Sequence, residues 1–141
     1  MGKHVLIPVD GSEQAHQACE FVAEEYPEAT VTLLHVINPI EAGYSVQASM
    51  PTYSEEWYER QQERSEEILD EMEAIVGDQR PVERATEVGK PTNTIVKYAE
   101  ENDIDQIVMG SHGRSGVTRI LLGSVAETVI RRSPVPVTVV R

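Results

Sequence analysis

One cysteine, one phenylalanine, one tryptophan and only three lysines in 141 residues exclude several kinds of protein at the outset. A single thiol forms no intrachain disulfide, so the fold must rest on its apolar core, and a reducing, cytoplasmic setting follows. Cys19 lies between Ala15 and Val22 at helical spacing, which reads as a small buried hydrophobe rather than a nucleophile. No apolar run approaches the ~18 residues of a membrane span. The start, MGKHVLIPVDG, holds one short Val/Ile-rich stretch before an Asp-Gly turn, so no secretory leader is expected. No spacing of His, Cys and carboxylates resembles a zinc site.

Positive charge is the other scarcity. Twelve Lys and Arg face 24 Asp and Glu, a formal net charge of -12, and nine of the twelve are Arg. No basic stripe or aromatic platform exists to neutralise phosphate backbones, so nucleic acid is not an expected partner. Such self-repulsion is tolerable where concentrated salt shortens the screening length, and the lack of lysine points the same way. A salt-adapted cytoplasm is the expectation; an acidic protein of an ordinary cell is the alternative.

What the chain does contain is an alternation of two hydrophobic periods. Lys3 to Val9 reads as a first buried strand, Asp10-Gly11-Ser12 as a turn, and Ala15, Ala18, Cys19, Val22 and Tyr26 as the inner stripe of a helix. Thr30 to Ile37 is a second strand. Asn38 to Tyr53, with two prolines, a glycine and no sustained period, is expected to be a functional or flexible loop. Ser54 to Val76 is a long charged helix, thinly apolar in its first turns, with Gly77 as its stop. Pro81 to Val88 is the least apolar strand and is placed at a sheet edge. Pro91 opens a helix with Ile95, Val96 and Ala99 inward. Gln106 to Met109 and Val135 to Val140 complete the strands. Strands alternating with helices predict a doubly wound, Rossmann-like α/β domain over 1–141: five parallel strands in the order 3-2-1-4-5, with helices on both faces. In such sheets the ligand crevice opens beyond the carboxyl ends of the strands where the winding reverses, here between the first and fourth.

At that point the chain carries a glycine-spaced loop. Gly110, Gly113, Gly116 and Gly123 punctuate the crossing from the fourth strand to the last helix. A β-carbon would stand between a phosphate and the backbone N–H groups, so phosphate loops favour glycine. Ser124-Val125-Ala126-Glu127 fits a capping box, with Ser124 as the cap, and Val125, Val129 and Ile130 form the apolar face of that helix. A helix starting there aims unpaired N–H groups and the positive end of its dipole at the loop. Turn and cap duties in an ordinary crossover explain the glycines equally well from the loop alone.

The spacing Gly110-x2-Gly113-x9-Gly123-Ser124 resembles the ATP-binding signature of the universal stress protein family, G-x2-G-x9-G-[S/T]. The opening IPVDGS, the strand LLHVI, the GKP helix start and the ending LLGSVAETVIRRSPVPVTVV extend the likeness to the whole chain. The resemblance implies that Gly110, Gly113, Gly123 and Ser124 hold phosphates and ribose, while Pro8, Asp10 and Val36 frame adenine, with Val9 and Met109 beside them. Ser111, His112, Arg114, Ser115, Gly116, Val125 and Ala126 would lie near the phosphates. Asp10 would accept a hydrogen bond from the adenine amino group or a ribose hydroxyl, or else only shape the turn. Arg114 is either a phosphate contact or a solvated surface group, and His112 reads as loop packing rather than acid or base. His35 is expected buried and hydrogen-bonded; His4 and His16 have no partner legible in the sequence.

The resemblance implies a regulatory or protective module that binds ATP, with or without Mg²⁺ or Mn²⁺ bridging the phosphates, and a homodimer joined through the last strand. That strand also invites self-pairing on physical grounds, being an alternating Val edge. A slow ATP hydrolase or nucleotidyl transferase in the same crevice is the alternative. Against it stand the lack of a G-x4-G-K-[ST] loop and of any legible pair of residues for activating water, so no catalytic residue is assigned.

Overall fold

The apolar runs are short and rich in Val, Ile and Leu, and the stretches between them carry one apolar stripe each, which dictates strand and helix in turn. The computed structural model describes residues 3–42, 54–77, 80–111 and 122–141. The elements are β1 (His4–Pro8), α1 (Glu13–Glu25), β2 (Thr30–Ile37), a 3-10 turn at Pro39–Ala42, α2 (Glu55–Val76), β3 (Val82–Val88), α3 (Pro91–Glu101), β4 (Gln106–Gly110), α4 (Ser124–Arg132) and β5 (Val137–Val140). All strand pairs are parallel and the order is β3-β2-β1-β4-β5. The predicted architecture and strand order are therefore observed.

Alternation along the central strands divides the apolar residues between two cores. Val5, Ile7, Val9, Val31, Leu33 and Val108 meet α1 and α2 through Ala18, Cys19, Val22, Leu69 and Met72. Leu6, Leu34, Ile107 and Met109 meet α3 and α4 through Ile95, Ala99, Ala126 and Val129. One pair of helices thus covers each face, and the change of face falls between β1 and β4. Burial raises the Cys19 thiol to about 12, with Glu20 adding to the shift, so the thiol is inert at neutral pH.

The two helical layers differ in charge. α1 and α2 expose Glu13, Glu20, Glu24, Glu25, Glu55, Glu56, Glu59, Glu63, Glu66, Glu67, Asp70 and Glu71, against Arg60 and Arg64. On the other face Lys97, Arg131 and Arg132 balance Glu100, Glu101 and Glu127. Part of the repulsion on α2 is relieved by β3, whose Arg84 bonds Glu73 at 2.6 Å, Glu66 at 3.1 Å and Asp70. The carboxylates at 66, 70 and 73 lie about one helical turn apart, so one guanidinium spans them.

Several details depart from the sequence reading. Gly77 follows α2 as expected, but in a right-handed conformation (φ -77°), so it supplies no left-handed cap. On α4 the buried pair is Ala126 and Val129, whereas Ile130 is 42 % exposed. His4 does have a partner: its Nε2 lies 2.6 Å from Thr32 Oγ1, whose hydroxyl donates to Glu83 at 3.3 Å. His16 pairs with Glu20 one turn on, at 3.6 Å. Ser65, a polar residue on α2, is fully buried and bonds the Thr86 hydroxyl of β3 at 2.7 Å. His35 is buried as expected. Beyond Ala42, residues 43–53 of the proposed loop lie outside the described residues.

Candidate functional site

Where β1 ends, the chain turns sharply and starts α1 within three residues. Ser12 N–H donates to Asp10 Oδ1 at 3.0 Å, and the Ser12 hydroxyl accepts from Ala15 N–H at 3.1 Å as the α1 cap. Asp10 therefore does shape the turn, through one carboxylate oxygen, and among the described residues no donor meets the second. Gly11 takes a left-handed conformation, φ +81°, which a side chain would strain. Pro8 is half-buried, Val36 packs from the side against the α3 and α4 core, and Met109 is buried in that core. Val9 points into the opposite core and its N–H donates to Leu34 O at 2.8 Å.

Next to this turn lies the end of β4. β1 and β4 pair at Val5–Gln106 and Leu6–Ile107, and beyond them the first turn of α1 lies against Gly110 at the end of β4. The β1–α1 turn and the start of the glycine loop thus adjoin, as the predicted switch point requires. Gly110 has a structural reason to be glycine: a β-carbon there would stand 2.6 Å from Gln14 Cβ and 2.8 Å from the Gln14 carbonyl oxygen. The first turn of α1 sits directly on it. Gln14 was not legible as a site neighbour, since a polar residue in a first helical turn carries no packing signal of its own.

The loop is closed at its base. Ser111 N–H donates to Val140 O at 3.0 Å, and Ser111 O accepts from Gly123 N–H at 2.6 Å. His112, Gly113, Arg114, Ser115 and Gly116 lie outside the described residues.

Beyond the closure, α4 begins in a way that corrects the sequence reading. The cap is Gly123 (φ -67°, ψ 160°), and no side chain bonds the first turn, so Ser124 is the first helical residue and the capping box does not form. The backbone closure onto Ser111 fixes Gly123 as the last extended residue. The first intrahelical bond is Glu127 N–H to Gly123 O at 3.0 Å. The N–H groups of Ser124, Val125 and Ala126 precede it, and among the described residues no acceptor meets them. The Ser124 side chain is exposed. Glu127, the acidic residue of this turn, is engaged by Arg131 at 2.9 Å on the same helix. Three converging donors, the positive end of a helix dipole and a hydroxyl together form a cradle for an anion. Of the sequence-predicted residues, the structure brings Asp10, Gly110, Ser111, Gly123, Ser124, Val125 and Ala126 to the carboxyl end of the β1 and β4 pair. It leaves the side chains of Val9 and Met109 in the two cores.

Comparison with known proteins then supplies context. Residues 1–141 match the model of the universal stress protein family. Universal stress protein MJ0531 of Methanocaldococcus jannaschii is 35 % identical, covering 99 % of this chain and 82 % of its own. Universal stress protein MJ0577 of the same organism is 36 % identical, covering 100 % and 96 %. Its solved structure superposes with a TM-score of 0.83 over 99 % of this chain and 96 % of that one. A universal stress protein from Archaeoglobus fulgidus, solved in complex with dAMP, is 25 % identical with a TM-score of 0.67 over 100 % and 98 % of the two chains.

Proposed function

The chain belongs to the universal stress protein family, and from that premise we propose that it binds an adenine nucleotide, ATP, as a regulatory or protective module of the stress response. The observation that carries this reading is the start of α4: three backbone N–H groups without acceptors among the described residues, held at the end of β4 by the bond from Gly123 to Ser111. Unsatisfied donors at a helix start demand an acceptor, and phosphate oxygens supply it with matching charge. The dAMP complex of the Archaeoglobus fulgidus relative supports adenylate as the ligand class.

In this reading Ser124, Val125 and Ala126 hold the phosphates with Gly110, Gly113 and Gly123. Ser111, His112, Arg114, Ser115 and Gly116 lie along the loop, and Pro8, Val9, Asp10, Val36 and Met109 border the base and ribose. The free oxygen of Asp10 accepts from the adenine amino group or a ribose hydroxyl. Any Mg²⁺ or Mn²⁺ enters with the phosphates and neutralises them, which matters in a chain of net charge -12. Residues 1–141 act as one nucleotide-binding unit in the cytoplasm, and among the described residues no helix is long and apolar enough to cross a membrane.

The protein acts as a homodimer through β5. Both sheet edges are exposed to pairing, but β3 presents Glu83, Arg84 and Glu87, whereas β5 reads VTVV. Carbonyls of Pro136 and Val140 accept from β4, so by alternation the backbone groups of Val137 and Val139 face away from the sheet. A second copy running antiparallel satisfies them across a two-fold axis.

Mass spectrometry of small molecules released from undialysed protein tests the ligand. An adenine nucleotide at near-stoichiometric amount is expected. Protein that carries none and binds neither ATP nor AMP in titration would refute the reading, and turnover above about 1 per second would replace binding with catalysis.

A further inference from the structure

Arg64 is distinguished from the other cations of this acidic chain by where its guanidinium lies. It is exposed on α2, and it forms no ion pair or hydrogen bond among the described residues despite Glu63, Glu67 and the carboxylates further along the helix. Arg84, by contrast, engages three of those carboxylates. Instead of folding back along α2, the Arg64 guanidinium leans over the β1–α1 turn. Its Nη2 lies 3.8 Å from where a β-carbon on Gly11 would be, above the Ile68 side chain, which reaches the same point at 3.4 Å. Gly11 has no side chain to separate that guanidinium from the turn.

The turn is the rim of the site. Asp10 and Gly11 lead into α1, whose Gln14 lies against Gly110 at the end of β4, where the glycine loop starts. Adjacent strands lie about 5 Å apart, which a guanidinium on a long, flexible stem covers without moving its backbone. The amides of α4 approach the same end of the sheet from the opposite face. Arg64 and the α4 cradle therefore flank the strand ends from two sides.

We infer that Arg64 is a ligand-contacting residue of this site, its guanidinium supplying a positive charge to the phosphates of the bound nucleotide. The inference rests on the nucleotide reading above and adds to it a residue from α2, outside the glycine loop. It also answers an electrostatic problem: a polyanionic ligand approaching a chain of net charge -12 is repelled at long range, and one unpaired cation at the rim offsets that locally.

Calorimetric titration of the full chain and of Arg64→Gln and Arg64→Lys with adenosine, AMP and ATP tests this. At about 0.1 M KCl, Arg64→Gln is expected to bind ATP and AMP roughly tenfold more weakly while adenosine affinity stays within about twofold, and Arg64→Lys recovers most of the loss. The ligand-free melting temperature should stay within about 2 °C of the parent, as for an exposed side chain without an ion pair. ATP affinity unchanged in Arg64→Gln overturns the inference and leaves the nucleotide reading standing. An equal loss for adenosine and ATP, with or without a lowered melting temperature, makes Arg64 a structural support of the turn and also overturns it. A parent protein that binds none of the three removes both readings together.

Discussion

Gly110 and Gln14 touch with no side chain between them. The end of β4 and the first turn of α1 approach so closely that a β-carbon on Gly110 would fall 2.7 Å from the Gln14 carbonyl carbon. A methyl group cannot be accommodated by rotating a side chain, because the obstacle is helix backbone. Gly110→Ala should therefore lower stability by about 1–3 kcal/mol in ligand-free protein, read from urea denaturation. An unchanged midpoint would mean that α1 gives way freely.

Gly123 caps α4 in an extended conformation, which suits a proline at the next position. Ser124→Pro removes one free N–H and the hydroxyl while leaving the helix its preferred first residue. Nucleotide affinity should fall about tenfold or more with the denaturation midpoint held, and Ser124→Ala should lose less. Equal affinity in the proline variant would take the phosphates away from α4.

Arg84 is the hub that three α2 carboxylates share. These carboxylates are 64 %, 69 % and 39 % exposed, so water screens much of each attraction. Arg84→Met keeps the apolar stem and removes the charge. We expect a loss of roughly 1–2 kcal/mol at about 0.1 M KCl, shrinking by more than half at about 2 M KCl. The parent chain should itself gain stability across that range, as the salt-adapted reading requires. Flat salt dependence in both would disprove it.

Alkaline pH should destabilise the fold through Cys19. Its thiol rises from an ordinary 9.0 to about 12 in the folded chain. Burial and then Glu83 and Glu87 raise the Tyr98 phenol from 10.0 in the same direction. The unfolded chain releases these protons first, so stability is full below pH 9.0 and declines toward about pH 12. Cys19→Ala should show a shallower decline above pH 9.0, measured by denaturation at a series of pH values. The native thiol should also resist alkylating reagents until the protein unfolds.

Val139 offers a test of the dimer that spares the sheet. Its N–H faces away from β4, so Val139→Pro removes a donor from the free edge without breaking the β4–β5 ladder. The parent should sediment at about twice 15.7 kDa and the variant at 15.7 kDa. A parent that is monomeric at micromolar concentration would rule out self-pairing through β5.

The strands and helices were legible because burial on both faces leaves a plain record: Val5, Leu6 and Ile7 run together, and Ala15, Ala18, Cys19 and Val22 repeat at helical spacing. The strand order, with β1 and β4 adjacent, followed from that alternation. What escaped the sequence depended on backbone geometry or on partners distant in the chain. Ser124 has the composition of a cap, yet the bond between Gly123 and Ser111 shifts the helix start by one residue. Ile130 matches the apolar period of α4 but is exposed, while Ala126 and Val129 are the residues buried there. Arg64 looks like any solvated helical residue until Gly11 is seen beneath it. His4 and Thr32, 28 residues apart, meet only because β1 and β2 pair in parallel.

The hydrogen bond from Gly123 to Ser111 joins the start of α4 directly to the end of β4. Ser111 is tied in turn to Val140 of β5, so the start of α4 hangs from the sheet through two consecutive backbone bonds. Whatever seats against the free edge of β5 therefore lies two backbone hydrogen bonds from the open amides of α4.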